Sequence, residues 1–385
     1  MTSSEHEIVR GTSSRAWAAT LVRAYTCFVQ RRPLPNAGED WPPSRQKDNI
    51  GVLRLFFASL VIVGHAPEMI DGSRIREPMT VLFGTLSLGE LAVDAFFLIS
   101  GFLITSSWFY TRSLKTYLKK RLLRIYPAFI IAYCVCVLLA PILGGDLSQN
   151  ISDTVMRVMM LHSPPSYPGM LTGIRYATLN GSMWTIAYEF RCYLLVAVLG
   201  LAGLLARPNA ILAVTAFGLA MMVLVSYEFT QSTLDYIEKY HSVSYVLGSP
   251  RDTIRLTTAF MLGVCAYLNR GLLFRHLNKY MAALYASAAL IFLFWGPHFA
   301  EVILLTLGGA FLFWLSFKAD LGRIQTVNNR WDISYGVYLY GWPIATTILY
   351  FDRAVSPLAL AAFTFPLAAL CGAASWFGLE KWMKR

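Results

Sequence analysis

The sequence predicts an all-α protein: a polytopic bundle of about ten transmembrane helices with both termini on the cytoplasmic side. Three observations predict it. Of 385 residues, 56% are hydrophobic and 14% charged, whereas soluble domains carry about 25% charged residues; mean hydropathy is +0.50. The apolar residues fall in runs long enough to cross about 30 Å of hydrocarbon. The loops between the runs alternate in charge, so the net charge of +11 gathers on one side. This balance excludes a disordered chain, a coiled coil and an ordinary soluble enzyme. It also makes the basic surplus a signature of cytoplasmic loops rather than of nucleic-acid binding.

Residues 1–49 differ in kind from residues 50–385, the expected transmembrane domain. They carry Arg10, Arg15, Arg23, Arg31, Arg32, Arg45 and Lys47, and Pro33, Pro35, Pro42 and Pro43 stiffen the approach to the apolar region. The mildly apolar stretch 16–29 contains Arg23 and has no small-residue cleavage site after it, which argues against a signal peptide. An amphipathic helix on the inner membrane face and a dispensable tail are both open readings of this basic cytoplasmic segment.

The expected spans are roughly 50–66, 79–106, 125–143, 182–205, 210–225, 256–268, 281–295, 300–317, 333–350 and 358–379. With these spans, one set of loops holds Arg112, Lys115, Lys119, Lys120, Arg121 and Arg124, then Arg207, then Arg270, Arg275 and Lys279, then Lys318, Arg323 and Arg330, and finally Lys381, Lys384 and Arg385. The opposite loops hold Glu68, Asp71, Glu77, Asp146, Asp153, Glu228, Asp235, Glu238 and Asp352, with a few Arg and Lys among them. The positive-inside rule makes the basic side cytoplasmic and the protein a multi-pass resident of the cell inner membrane. Such a bundle can assemble with further copies of itself. Cys27, Cys134, Cys136, Cys192, Cys265 and Cys371 form no CxxC pair and no metal spacing, so neither a disulfide framework nor a metal site is expected. There is no Walker loop, GxGxxG, HExxH or GxSxG.

Ionisable groups inside a membrane are expensive and mark function. Four sets stand out. Arg54 and His65 on the first span are eleven residues apart, which places them on one helix face, roughly 16 Å apart along the axis. Asp94 stands before Phe96-Phe97-Leu98-Ile99-Ser100-Gly101-Phe102, where Ser100 and Gly101 allow close helix approach; its carboxylate would orient a histidine or pair with an arginine. Lys120, Arg121 and Arg124 precede Ile125-Tyr126-Pro127. Arg121 and Arg124 share a helix face and suit a forked grip on phosphate, or else an anchor beside anionic lipid. In the fourth set, Glu189 follows Trp184 and Tyr188, whose aromatic faces suit a sugar ring. The competing reading is an interfacial aromatic belt with Glu189 paired to Arg191, a poor geometry for residues two apart on a helix.

In order along residues 50–385, these features resemble the acyltransferase-3 family of integral membrane acyltransferases. Arg54 and His65 are similar to its first-span arginine and histidine, the stretch from Asp94 to Phe102 to its VDxFFxxSGF motif, and the stretch from Lys120 to Pro127 to its RRxxRIxP motif. Trp184 through Glu189 with Tyr193 resembles its LWSLxxExxFY segment, Phe260-Met261-Leu262-Gly263 its FxxG segment, and residues 333–340 with Glu380 and Lys381 its late motifs. Two positions depart from the pattern: Gly341 stands where the family often has a histidine, and Cys192 replaces the usual phenylalanine before Tyr193.

The resemblance implies transfer of an acyl group, usually acetyl, from cytoplasmic acyl-coenzyme A to a hydroxyl of a surface or lipid-linked glycan, with no bound cofactor. On that basis Arg121, Arg124 and Lys120 are expected to hold the donor's phosphates. His65 is expected to act as general base or transient acyl carrier, Arg54 to bind the donor or stabilise developing charge, and Asp94 or Glu189 to orient the histidine or bind the acceptor. The outward loops 144–180 and 228–255, with Tyr167, Tyr176, Tyr236, Tyr240 and Tyr245, are the expected acceptor contacts. A proton-coupled transporter of a sugar or lipid-linked glycan is the competing class; the absence of paired broken spans counts against it. A non-catalytic membrane scaffold is a third reading, against which Arg54 and His65 stand.

Overall fold

A computed structural model describes residues 48–111, 113–147, 151–227, 245–294, 296–329 and 331–381. The expectations for residues 1–47 and for Arg112, Glu228, Asp235, Tyr236, Glu238, Tyr240, Arg330, Lys384 and Arg385 lie outside the described residues.

All regular structure among the described residues is helical. In chain order the helices are α1 (Ile50–Asp71), α2 (Pro78–Phe83), α3 (Leu88–Tyr110), α4 (Leu114–Leu139), α5 (Ile151–Met159), α6 (Trp184–Leu201), α7 (Pro208–Val225), α8 (Pro250–Leu268), α9 (Arg270–His276), α10 (Lys279–Leu293), α11 (Pro297–Ile303), α12 (Gly309–Phe317), α13 (Ser334–Phe351) and α14 (Pro357–Ser375). A π-helical turn, Leu304–Gly308, joins α11 to α12. Each expected span overlaps one or more of these helices.

Among the described residues, seven helical stretches are long and apolar enough to cross a membrane: Ile50–Asp71, Leu88–Tyr110, Leu114–Leu139, Gly181–Leu201, Pro208–Val225, His298–Phe317 and Pro357–Gly378. An eighth arises if the segment ending in α8 and the following α9, bent by 83°, form one span. α10 is apolar but short. Side chains such as Leu138, Phe217 and Leu358 stand 68–82% exposed, an outer surface suited to lipid rather than water.

The expected continuous span 79–106 is divided. Pro78 starts α2, and Gly84, at φ 68°, ends it in the left-handed conformation that glycine adopts without strain. Ser87 and Glu90 then cap the start of α3 reciprocally, each side chain taking the other's backbone N–H. This break sets α2 aside and places the first turn of α3 against the last turns of α1.

Close approaches fix the bundle. A Cβ on Gly101 of α3 would fall 2.0 Å from the Phe260 carbonyl oxygen, and one on Gly263 of α8 would fall 2.1 Å from that of Leu98. The two backbones are in contact there, as the small residue in the first motif anticipates. Beside this seam, Asp94 of α3 lies 3.0 Å from Arg255 of α8, which also pairs with Glu301 of α11. Asp94 and Arg255 are buried, and their contact is one of charges rather than of aligned hydrogen bonds. At the start of α1, buried Asn49 donates from its side chain to the carbonyls of Leu315 and Ala319, and from its backbone to Ser316, tying α1 to α12. Gly72, at φ 71°, closes α1 with a bond to the Glu68 carbonyl.

Candidate active site

Two polar clusters sit at opposite ends of α1, both against α13 or the residues just before it. At the C-terminal end, His65 Nδ1 lies 2.7 Å from Glu68 Oε2, one helical turn away. A carboxylate only accepts, so Nδ1 carries the proton and donates it. The second ring nitrogen, Nε2, is then the basic one. It faces Gly89 at the start of α3, where a Cβ would come within 3.3 Å of it. The His65 ring also meets Trp342 of α13 edge-on, 4.8 Å between centroids. Val61, Ile62, His65, Met69, Ser182, Tyr338, Gly341, Trp342 and Ala345 line a small crevice here.

Glu68 is itself held. Its other oxygen accepts from Arg74 Nε at 3.1 Å, and Arg74 Nη1 reaches Glu90 at 2.9 Å. Burial works against the charge on Arg74, but Glu90 and Glu68 outweigh it and raise its pKa above the ordinary value. The chain His65–Glu68–Arg74–Glu90 thus ends in the carboxylate that caps α3. Over this end lies the segment before α6. Trp342 Nε1 donates to the Thr178 carbonyl at 2.9 Å, and Tyr176 stands 5.4 Å from the Trp342 ring. Asn180 donates to Leu339 O at 2.9 Å.

At the N-terminal end of α1, Arg54 and Arg124 share one oxygen of Asp332, at 2.7 and 2.8 Å. The other oxygen accepts from Ser334 Oγ and, at 3.4 Å, from Asn328 Nδ2. Arg124 also stands 5.6 Å over the Tyr335 ring. A third guanidinium, that of Arg121, takes other partners: Ser107 Oγ at 3.2 Å and the rings of Tyr117 and Tyr193 at 5.8 and 5.6 Å.

A histidine oriented by a carboxylate within a membrane helix, with paired arginines at the far end of that helix, is a constellation for proton and anion handling. Residues 47–377 match the family model described as "Acyltransferase domain". The chain belongs to the acyltransferase-3 family. It is a membrane acyltransferase. An "O-acetyl transferase" of Shigella phage Sf6 is 24% identical over 313 residues, covering 77% of this acyltransferase and 84% of the relative. "Nodulation protein 10" of Rhizobium leguminosarum bv. viciae is 27% identical over 361 residues, covering 84% and 92%. No solved structure matches.

Against the sequence expectations, the acyltransferase brings Arg54 and Arg124 together through Asp332 and keeps His65 apart from both. Asp94 pairs with Arg255, which also holds Glu301, and is not a partner of His65. Glu189 accepts from Tyr193 OH at 2.5 Å, while Arg191 donates to the Leu247 carbonyl, so the two do not pair. Trp184 and Tyr188 pack edge-on against each other at 5.5 Å, and Tyr188 is buried beneath Gly248; neither lines the crevice at His65. Lys120 is exposed. Gly341, in the place of the family histidine, lies beside the crevice with Ile62 2.9 Å from where its Cβ would be.

The sequence reading missed Glu68 and Asp332. Glu68 carried a signal, the i,i+3 spacing from His65 just before the helix-ending Gly72. Asp332 carried none, because its arginines are 278 and 208 residues away.

Proposed function

We propose that this membrane acyltransferase moves an acyl group, acetyl by preference, from acyl-coenzyme A to a hydroxyl of a cell-surface or lipid-linked glycan. The observation that carries the reading is the His65–Glu68 pair beside a crevice inside the bundle that His65 helps to line. The name of the phage relative supports acetyl as the group and oxygen as its acceptor atom. The topology that goes with it has about ten spans, formed by α10 and α13 in addition to the longer helices, with both termini in the cytoplasm of an inner-membrane protein. Residues 1–49 are then a cytoplasmic extension of the transmembrane domain, 50–385.

In this topology Arg54, Arg124 and Asp332 lie at the cytoplasmic end of α1 and His65 in its outer half. Donor phosphates bind at the arginines, with Arg121 and Lys120 adding charge along α4, the helix that carries Arg124. The pantetheine arm follows α1 and brings the thioester to the crevice. His65 Nε2 takes the proton as the glycan hydroxyl oxygen attacks the thioester carbonyl. The carbon–sulfur bond breaks, and the imidazolium returns the proton to the departing thiolate. Glu68 steadies the imidazolium between the two transfers. The acceptor enters past Tyr176 and Trp342, the aromatic faces beside His65.

The test is purified protein in lipid, given radiolabelled acetyl-coenzyme A and a glycan acceptor. Label moves to the glycan, and His65→Ala stops it while the protein still inserts. Full acylation by that variant overturns the role of His65. Sugar flux that is independent of labelled donor favours the transporter reading instead.

A further inference from the structure

Asp332 pairs with both Arg54 and Arg124, and it is bound to each by the same oxygen. Two guanidiniums drawn to one oxygen would repel each other without an anion between them. Such a cluster has two uses: a sealed structural tie, or an anion site whose anion can be exchanged.

Exposure separates them. The Arg255–Asp94 tie is sealed, with side chains 11% and 2% exposed. At the Asp332 cluster the three side chains stand 19–23% exposed, so the charges are open at the surface of the bundle. The carboxylate is also held from a short loop rather than from a helix. Asn328, at φ 62°, shapes that loop. It accepts from the Ile333 N–H at 2.7 Å and donates to the Gly51 carbonyl at 2.8 Å. The loop therefore delivers Asp332 to the start of α1 without burying it in the bundle.

We infer that Asp332 fills the donor's phosphate cleft in the unloaded protein, as an internal carboxylate that coenzyme A displaces from Arg54 and Arg124. The inference rests on the reading of these arginines as the donor site. A phosphate offers each guanidinium its own pair of oxygens and carries more charge than the carboxylate, which serves both arginines with a single atom. Exchange is thus favourable for a polyanion, but the affinity is reduced by the cost of displacing Asp332. That reduction also speeds release of free coenzyme A after transfer, because the carboxylate returns as the product's phosphates leave. Asp332 then tunes donor turnover without touching the reacting atoms.

The experiment measures binding of coenzyme A, and of pantetheine as a phosphate-free control, to the full chain purified in detergent. Asp332→Asn removes the competing charge and keeps the shape. Its dissociation constant for coenzyme A falls by roughly two- to fivefold, the range expected for one partly exposed charge, while that for pantetheine does not change. Asp332→Glu keeps the charge and stays within about twofold of the parent. Should the Asn variant fail to fold, Asp332→Ser makes the same measurement. Weaker or unchanged coenzyme A binding in the neutral variants overturns the inference. If Arg54→Ala and Arg124→Ala also leave coenzyme A binding unchanged, the donor-site reading fails as well. If those two weaken binding while Asp332→Asn does not tighten it, only the role of Asp332 is lost.

Discussion

Glu68 accepts a hydrogen bond from the Nδ1–H of His65 at 2.7 Å from one turn further along the same helix, and Arg74 grips the other oxygen of the same carboxylate. The imidazole is thereby fixed in orientation and in tautomer, with Nε2 as its basic nitrogen. An amide in place of Glu68 would offer an N–H to Nδ1 and move the ring proton to Nε2, the wrong nitrogen for accepting a hydroxyl proton. Glu68→Gln is expected to lower kcat by about 10²–10⁴-fold, as loss of the orienting carboxylate does in comparable histidine sites. The donor KM should stay within about twofold, since no donor contact is removed. Initial rates of acyl transfer at varied donor concentration check this. An unchanged kcat would reduce Glu68 to a tie between α1 and Arg74.

Arg255 offers a different kind of test, because it concerns folding rather than chemistry. It is a buried cation between Asp94 and Glu301 that joins α3, α8 and α11. Removing it leaves a fully desolvated carboxylate on Asp94 beside a second one. Breaking a buried pair by deleting one partner typically costs about 3–5 kcal/mol. Arg255→Ala should therefore lower the thermal unfolding midpoint sharply and reduce the yield of monodisperse protein in detergent. A midpoint equal to that of the parent would mean that water reaches Asp94.

What the sequence made legible follows the range of the interaction. Helix positions were readable because lipid imposes runs of about 20 apolar residues. The shared face of Arg54 and His65 was readable because it depends only on helical periodicity, and both side chains meet the α13 region. The Gly101 contact was readable because a small residue in an apolar run has few other uses. The break at Gly84 is hidden in hydropathy, which averages over a short polar interval, although Ser87 and Glu90 carry the capping signal. Glu68 reads as a loop residue when the apolar run ends the first span at residue 66, whereas α1 continues to Asp71. The pairings Asp94–Arg255 and Arg54–Asp332 were not readable, because they join residues that meet only once the bundle has assembled.

His162, in the segment between α5 and α6, gives a pH signature outside the spans. Its ring stands edge-on to Tyr245 at 4.5 Å. Burial, with the nearby charges of Arg191 and Arg157, holds its pKa below the ordinary 6.5. The folded protein thus binds this proton less readily than the unfolded chain. The stabilising contribution is present in full above the unfolded value and is lost as pH falls through it towards the lower folded value. The thermal midpoint of the purified protein should therefore decline between about pH 7.5 and 5. Part of that slope should vanish in His162→Gln, whose side chain does not titrate. Comparing the two slopes isolates this residue from the carboxylates that titrate in the same range. Identical slopes would mean that the proton on His162 is bound equally well before and after folding, and that the contact with Tyr245 tolerates the charge.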